Sequence, residues 1–126
     1  MSEEWRDIIG FENKYQVSSL GRIKSLSRII EYSHPKMGLV KALNPEIIMN
    51  QYLSVGYLKV DLYDNLKRKR EFVHRLIADA FIPKIKDKNY INHKNNIRTD
   101  NRIENLEWCN QSENLLHYFR IIKKSA

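Results

Sequence analysis

Residues 56–81 constrain the fold most, because within them the hydrophobic period switches once, from two to about 3.6. In GYLKVDLY, Leu58, Val60 and Leu62 alternate with Tyr57, Lys59, Asp61 and Tyr63, the pattern of a strand with one face covered. Asp64 and Asn65 supply a turn, and KRKREFV returns as the partner strand of a hairpin with a basic edge. In VHRLIADAF, Val73, Leu76, Ile77, Ala80 and Phe81 then fall at i, i+3, i+4, i+7 and i+8. That spacing makes one apolar face of a short amphipathic helix, which Pro83 ends. The chain is therefore expected to be α+β, with small antiparallel β hairpins and short helices.

Ahead of this stretch, EEWRDIIGFENKYQVSSLGRIKSLSR reads as two short strands, Tyr15–Val17 and Gly21–Leu26. They are joined by a Ser-Ser-Leu-Gly turn in which Gly21 can take positive φ. Residues 30 to 48 hold Pro35, Gly38 and Pro45 without a clear period and read as an excursion or linker. Beyond the KIKDK link, Tyr90–His93 reads as a strand, Lys94 to Asn105 as a polar loop and Leu106–Cys109 as a second strand. Ser112 is the expected N-cap of a last helix whose apolar face is Leu115, Leu116 and Phe119.

At 126 residues the chain is one domain or a core with a small appendage. Its 22 basic and 15 acidic residues leave +7, which leans toward a polyanionic partner, nucleic acid before membrane surface. The single cysteine, Cys109, excludes an internal disulfide and a multi-cysteine zinc site, and its apolar surroundings read as a buried, inert thiol. No apolar window approaches the length of a membrane span, and the acidic start MSEEWRDIIG lacks the apolar region of a signal peptide. A soluble cytoplasmic protein is expected.

The chemistry-bearing stretch is YINHKNNIRTDNRIENLEWCNQSENLLH, residues 90–117, in which asparagines recur around His93 and His117. Read with what precedes it, VHRLIADAF followed by INHKNN, then NRIENLEW, then NQSEN resembles the HNH homing-endonuclease family of phages and mobile introns. The resemblance covers about residues 56 to 118, and four separated motifs occur in the right order and spacing. WRDIIGFENKYQVSSLGRIKSL also resembles the nuclease-associated DNA-binding motif that usually precedes such a domain. The expected division is therefore a DNA-binding motif and linker at 1–48 and a nuclease domain at 49–126, with a ββα-metal finger at about 90–120.

By position, the resemblance implies that His93 is the catalytic histidine, Asn105 the central asparagine and Asn114 the third position of the motif. Asn92 stands at a metal-ligand position that is often Asp in related enzymes. A neutral imidazole is the natural base near pH 7, so His93 is expected to deprotonate the attacking water. The cation is expected to be Mg²⁺ or Mn²⁺, with Asn92 and Asn114 offering amide oxygens and the scissile phosphate completing the site. Asn105 reads as a brace that ties the loop and orients His93. Asn95, Asn96 and Asn101 read as loop formers, with phosphate contacts as the alternative.

His74 opens the helix, and a structural or DNA-backbone role outweighs a catalytic one. His117, three residues beyond Asn114, sits on a neighbouring helical face and either approaches the metal or is an ordinary exposed histidine. Arg22, Lys24 and Arg28, with the run Lys67, Arg68, Lys69 and Arg70, are the expected DNA-binding residues. Trp5 and Trp108 read as core anchors. The function expected is a metal-dependent endonuclease that nicks or cleaves double-stranded DNA, phage or mobile-element encoded, acting as a monomer or weak homodimer. The alternative is a catalytically silent DNA-binding protein that kept the fold. An RNA-binding module has only charge in its favour. Since the chain stops soon after the finger helix, sequence specificity is expected to be modest.

Overall fold

The computed structural model describes residues 2–64 and 67–125, with side chains described as far as residue 120. Strands β1 (Trp5–Asp7), β2 (Tyr15–Ser18) and β3 (Ile23–Ser25) begin an antiparallel sheet. The turn from Ser18 to Gly21 joins β2 to β3, with Gly21 at φ +91°, a conformation that glycine adopts without a steric penalty. Strands β4 (Arg28–His34) and β5 (Gly38–Asn44) form a separate two-stranded hairpin before β6 (Ile47–Ile48) returns to pair with β3. The first sheet therefore runs β1-β2-β3-β6.

The β4–β5 hairpin corrects the expectation of a linker over 30 to 48. Its register is continuous from Arg28↔Asn44 to His34↔Gly38, and Lys36 and Met37 donate their backbone N–H groups to His34 Nδ1 across the turn. Pro35 lies in the turn of this hairpin, Gly38 opens its second strand and Pro45 follows it, so they do not mark irregular chain. No alternation announced it because neither face is covered: Ile29, Tyr32, Leu39 and Leu43 are all exposed.

Strand β7 (Tyr52–Ser54) was not expected either; it pairs with β8 (Tyr57–Asp64) through a two-residue turn of Val55 and Gly56, both at positive φ. Strand β9 (Lys67–Phe72) completes the sheet β7-β8-β9. Of the turn expected at Asp64-Asn65, Asn65 lies outside the described residues. The β8 alternation is realised: Val60 and Leu62 are fully buried while Tyr63 is exposed. Helix α1 (Val73–Phe81) follows directly, burying Val73, Ile77 and Ala78. It stops where Ile82 turns extended, the conformation that the following Pro83 demands.

Strands β10 (Tyr90–His93) and β11 (Leu106–Cys109) pair antiparallel, with Asn92 opposite Glu107 and His93 opposite Leu106. Helix α2 (Gln111–Ser125) closes the strand–loop–strand–helix unit. Its cap is Asn110 rather than the expected Ser112. Asn110 Oδ1 accepts from the Glu113 N–H at 2.8 Å and Glu113 Oε1 accepts from the Asn110 N–H at 3.1 Å, a reciprocal capping box. The apolar residues Leu115, Leu116 and Phe119 lie on α2 but are more than half exposed, so that face does not pack on the core.

One core joins these units. Ile8, Phe11, Tyr15, Val17 and Ile23 from the first sheet cluster with Val60, Leu62, Val73, Ile77 and Leu106. Trp108 is buried beside α1 and donates Nε1–H to the Ile82 carbonyl at 3.0 Å, and Cys109 is buried. Trp5 is half-buried, beneath the Lys24 ammonium 4.2 Å from its ring centre.

Candidate active site

Strand β10 delivers His93 to the rim of a cleft of about 370 Å³ lined by Tyr57, Asn92, His93, Arg98, Asn114 and His117. His93 is buried, and its Nε2 lies 2.8 Å from Asn101 Oδ1. An amide oxygen only accepts, so this partner places the imidazole proton on Nε2 and leaves Nδ1 as the basic nitrogen. Burial pushes the His93 pKa down; the Asn101 hydrogen bond and the Asp100 charge oppose this, and the Arg98 charge reinforces it. At neutral pH His93 is an uncharged imidazole with a defined tautomer.

The loop between β10 and β11 is tied by asparagines. Asn105 Oδ1 accepts from the Asn95 N–H at 3.0 Å and Asn105 Nδ2 donates to the Asp100 carbonyl at 2.8 Å, so one buried amide pins both limbs. The Asn96 N–H donates to the His93 carbonyl, and the Lys94 N–H to the Asn105 carbonyl, both at 2.8 Å. Arg102 donates through Nε and Nη2 to the Asp100 carboxylate, each at 2.8 Å, holding that carboxyl well below its usual range.

The bond to His93 is made by Asn101, not Asn105, although the sequence reads Asn101 as a loop former or a phosphate contact. Single loop asparagines carry no pattern that separates a turn former from a histidine partner. The only signal available was their density, eight between Asn89 and Asn114.

Asn101 is itself held from the other side. A Cβ on Gly21 would lie 3.2 Å from the Asn101 carbonyl carbon and 3.3 Å from its Cβ, so the β2–β3 turn abuts this residue. The Ile103 N–H donates to the Ser19 carbonyl at 3.0 Å, a second tie between that turn and the loop.

His74, at the start of α1, is buried in an aromatic wall. Its ring centre is 5.0 Å from Tyr57, 5.3 Å from Phe72 and 5.3 Å from His93. Burial, with the His93 and Arg75 charges adding to it, pushes its pKa down to about 4. At neutral pH it is an uncharged ring packed beside His93.

Asn92 donates Nδ2 to Glu107 Oε1 at 2.9 Å; since a carboxylate only accepts, this leaves the Asn92 amide oxygen free to act as a ligand. Asn114 is half-buried in the first turn of α2. His117 is also half-buried, and its Nε2 is buried with no hydrogen-bond partner. Among the described residues no three His, Cys, Asp or Glu side chains cluster as a metal site. Asn92, Asn114 and His117 line the same cleft, and amide oxygens and imidazole nitrogen are donor types that suit a divalent ion taking the rest of its shell from water and phosphate.

The basic residues divide into two groups. Lys67, Arg68, Lys69 and Arg70 are exposed along β9, with Arg68 3.9 Å from Asp61. Arg22 is paired with Glu3, Lys24 lies 3.7 Å from Glu46, and Arg28 donates to the Lys14 carbonyl at 3.0 Å and the Tyr15 hydroxyl at 3.3 Å. These three are woven into the first sheet.

Residues 71–116 match the family profile described as HNH endonuclease, and residues 3–63 match the NUMOD4 motif. Two uncharacterized HNH endonucleases of Acanthamoeba polyphaga mimivirus are 36% identical over 122 residues and 32% identical over 108 residues. The alignments take in 92% and 86% of this chain but 26% and 28% of those proteins. The DNA endonuclease I-HmuI of Bacillus phage SP01 is 30% identical over 112 residues, 89% of this chain and 55% of its own. The solved structure of DNA binding and cleavage by the HNH homing endonuclease I-HmuI superposes with a TM-score of 0.73 at 28% identity, covering 93% of this chain and 58% of that one. The chain thus spans between about a quarter and just over half of the relatives it matches.

Proposed function

We propose that this chain, whose residues 71–116 match the HNH endonuclease profile and whose residues 3–63 match the NUMOD4 motif, hydrolyses phosphodiester bonds of double-stranded DNA with a divalent cation. The observation that carries this reading is the 2.8 Å contact between His93 Nε2 and Asn101 Oδ1, in a cleft shared with Asn92 and Asn114. It leaves Nδ1 unprotonated to take a proton from water, and Asn101 stays bonded to Nε2–H as the ring becomes imidazolium. Tyr57 at 6.0 Å and His74 at 5.3 Å pack beside that ring, and Phe72 packs behind them. Asn105 acts one step back, closing the loop that carries Asn101.

A hard cation such as Mg²⁺ or Mn²⁺ would supply the positive charge that the reacting phosphate and the leaving oxygen require. Asn92 and Asn114 would hold it through their amide oxygens, with Glu107 fixing the orientation of Asn92 and His117 the next donor in the cleft. Neutral ligands hold a divalent ion weakly, so DNA phosphate completes the site. DNA lies along the exposed Lys67–Arg70 strand, since the N-terminal cations Arg22, Lys24 and Arg28 are partly engaged with Glu3, Glu46 and backbone oxygens.

The described residues form one such cleft per chain, so the first product is a nick. The experiment is relaxation of supercoiled plasmid with Mg²⁺ or Mn²⁺, with and without a chelator. Open circles should appear before linear DNA, and only with the ion. Plasmid that is retarded in a gel at low salt yet stays supercoiled with either ion would identify a silent DNA-binding protein and overturn the proposal.

A further inference from the structure

Two of the finger loop's cations, Lys94 and Arg98, make no ion pair among the described residues, and of these only Arg98 lines the cleft. Arg102 binds both nearby carboxylates, Asp100 and Glu104. Arg98 makes no ion pair among the described residues, and it lines the same cleft as His93, Asn92 and Asn114. Its position is nevertheless set. The guanidinium carbon stands 5.1 Å from the Tyr57 ring centre, and that ring is 6.0 Å from His93.

The floor under Arg98 is a bare backbone. Gly56, at φ +83° in the β7–β8 turn, faces the arginine so closely that a Cβ there would lie 3.3 Å from Nη1 and 3.7 Å from Cδ. Preceding it, Val55 is held at φ +54°, a conformation that a β-branched residue adopts rarely. A strained turn, a stacking ring and a missing side chain together seat one guanidinium beside the base.

The geometry points to Arg98 as a further catalytic residue, resting on the nuclease function proposed for this cleft: its guanidinium receives the non-bridging oxygens of the phosphate that His93 sets water against. A planar fork of N–H donors matches two phosphate oxygens, and stacking on Tyr57 fixes its orientation before the substrate arrives. Negative charge on those oxygens changes as the bond to the leaving oxygen breaks, so a donor preorganised there acts on the rate. An arginine whose only role was to hold DNA would act on affinity instead.

The test compares single-turnover nicking of supercoiled plasmid in Mg²⁺, at saturating protein, for wild type, His93→Ala, Arg98→Ala and Arg98→Lys. Arg98→Ala should lose about 100-fold in rate, with plasmid affinity held within about threefold, since one phosphate contact among several is lost. Added guanidinium ion should restore part of the Arg98→Ala rate and none of the His93→Ala rate. Arg98→Lys should keep the charge but lose the fork, falling between wild type and Arg98→Ala. Because Arg98 is exposed, its variants should melt with the wild type. If wild type nicks, His93→Ala does not, and Arg98→Ala nicks within about threefold of wild type at saturation, the Arg98 assignment is overturned and the nuclease function stands. A change confined to affinity overturns the assignment in the same way. Wild-type protein that does not nick at all overturns both.

Discussion

His93 is held as a neutral base from several sides, and each contact has a sign that a pH profile reads. Burial lowers its proton affinity, the His74 ring packs edge-on at 5.3 Å, and Asn101 accepts from Nε2–H at 2.8 Å. A general base works only when unprotonated, so nicking should persist as pH falls and drop with a midpoint below the ordinary histidine value of 6.5. Asn101→Asp replaces the amide oxygen by a carboxylate, which favours the imidazolium and should move that midpoint above 6.5. A profile whose acid limb stays put in Asn101→Asp would mean that Asn101 does not face the catalytic ring. Of these residues, the place of His93 at the end of a strand was legible from the motif spacing. Asn101 was not, since its partner is brought to it by a loop whose path depends on Asn105 and Asp100. For His74 the sequence puts a structural or DNA-backbone role ahead of a catalytic one, and its ring packs against Tyr57 and Phe72.

At the scale of elements, what was legible follows what is covered. Strand β8 and helix α1 bury one face each, so their periods of two and 3.6 are written into the sequence. The β4–β5 hairpin buries neither face and left no period, while β1, β6 and β7 are too short to show one. The turn between β2 and β3 was legible as a turn, but not as a prop for the site. Its tertiary role predicts a contrast between two glycines that both sit at positive φ. Gly21→Ala adds left-handed strain and also drives a methyl to within 3.2 Å of the Asn101 backbone, whereas Gly38→Ala, at the start of β5, meets nothing within 4 Å. Both should lose about 1 kcal/mol of stability from the backbone conformation. Only Gly21→Ala should also slow nicking, by about tenfold, through displaced Asn101 and His93. Thermal melts and plasmid assays on the two variants, side by side, check this; equal nicking rates would uncouple the turn from the site.

For the whole molecule, one core couples the N-terminal sheet to the finger, because Tyr15, Val17 and Ile23 pack in the same cluster as Val73, Ile77 and Leu106. Sequence periodicity reports faces of single elements, so the union of the two regions into one core was beyond its reach. The net charge of +7 was legible; in the structure Lys24 and Arg28 are partly covered, while Arg22 and the β9 cations Lys67–Arg70 are exposed, with Arg22 beside Glu3 and Arg68 beside Asp61. If about six phosphates are contacted, log affinity should fall with log salt with a slope of roughly −5. Reversing the charges of Lys67–Arg70 should flatten it, and an unchanged slope in a binding titration would move DNA elsewhere on the surface. The central claim is that His93 performs the cut and does little for binding. Its most direct measurement is single-turnover plasmid nicking by His93→Ala at saturating protein and Mg²⁺, with DNA affinity measured on the same preparation. The account predicts affinity close to wild type and a nicking rate reduced by at least about 100-fold, the loss expected of a general base. A variant that binds normally and still nicks within about tenfold of wild type would contradict it.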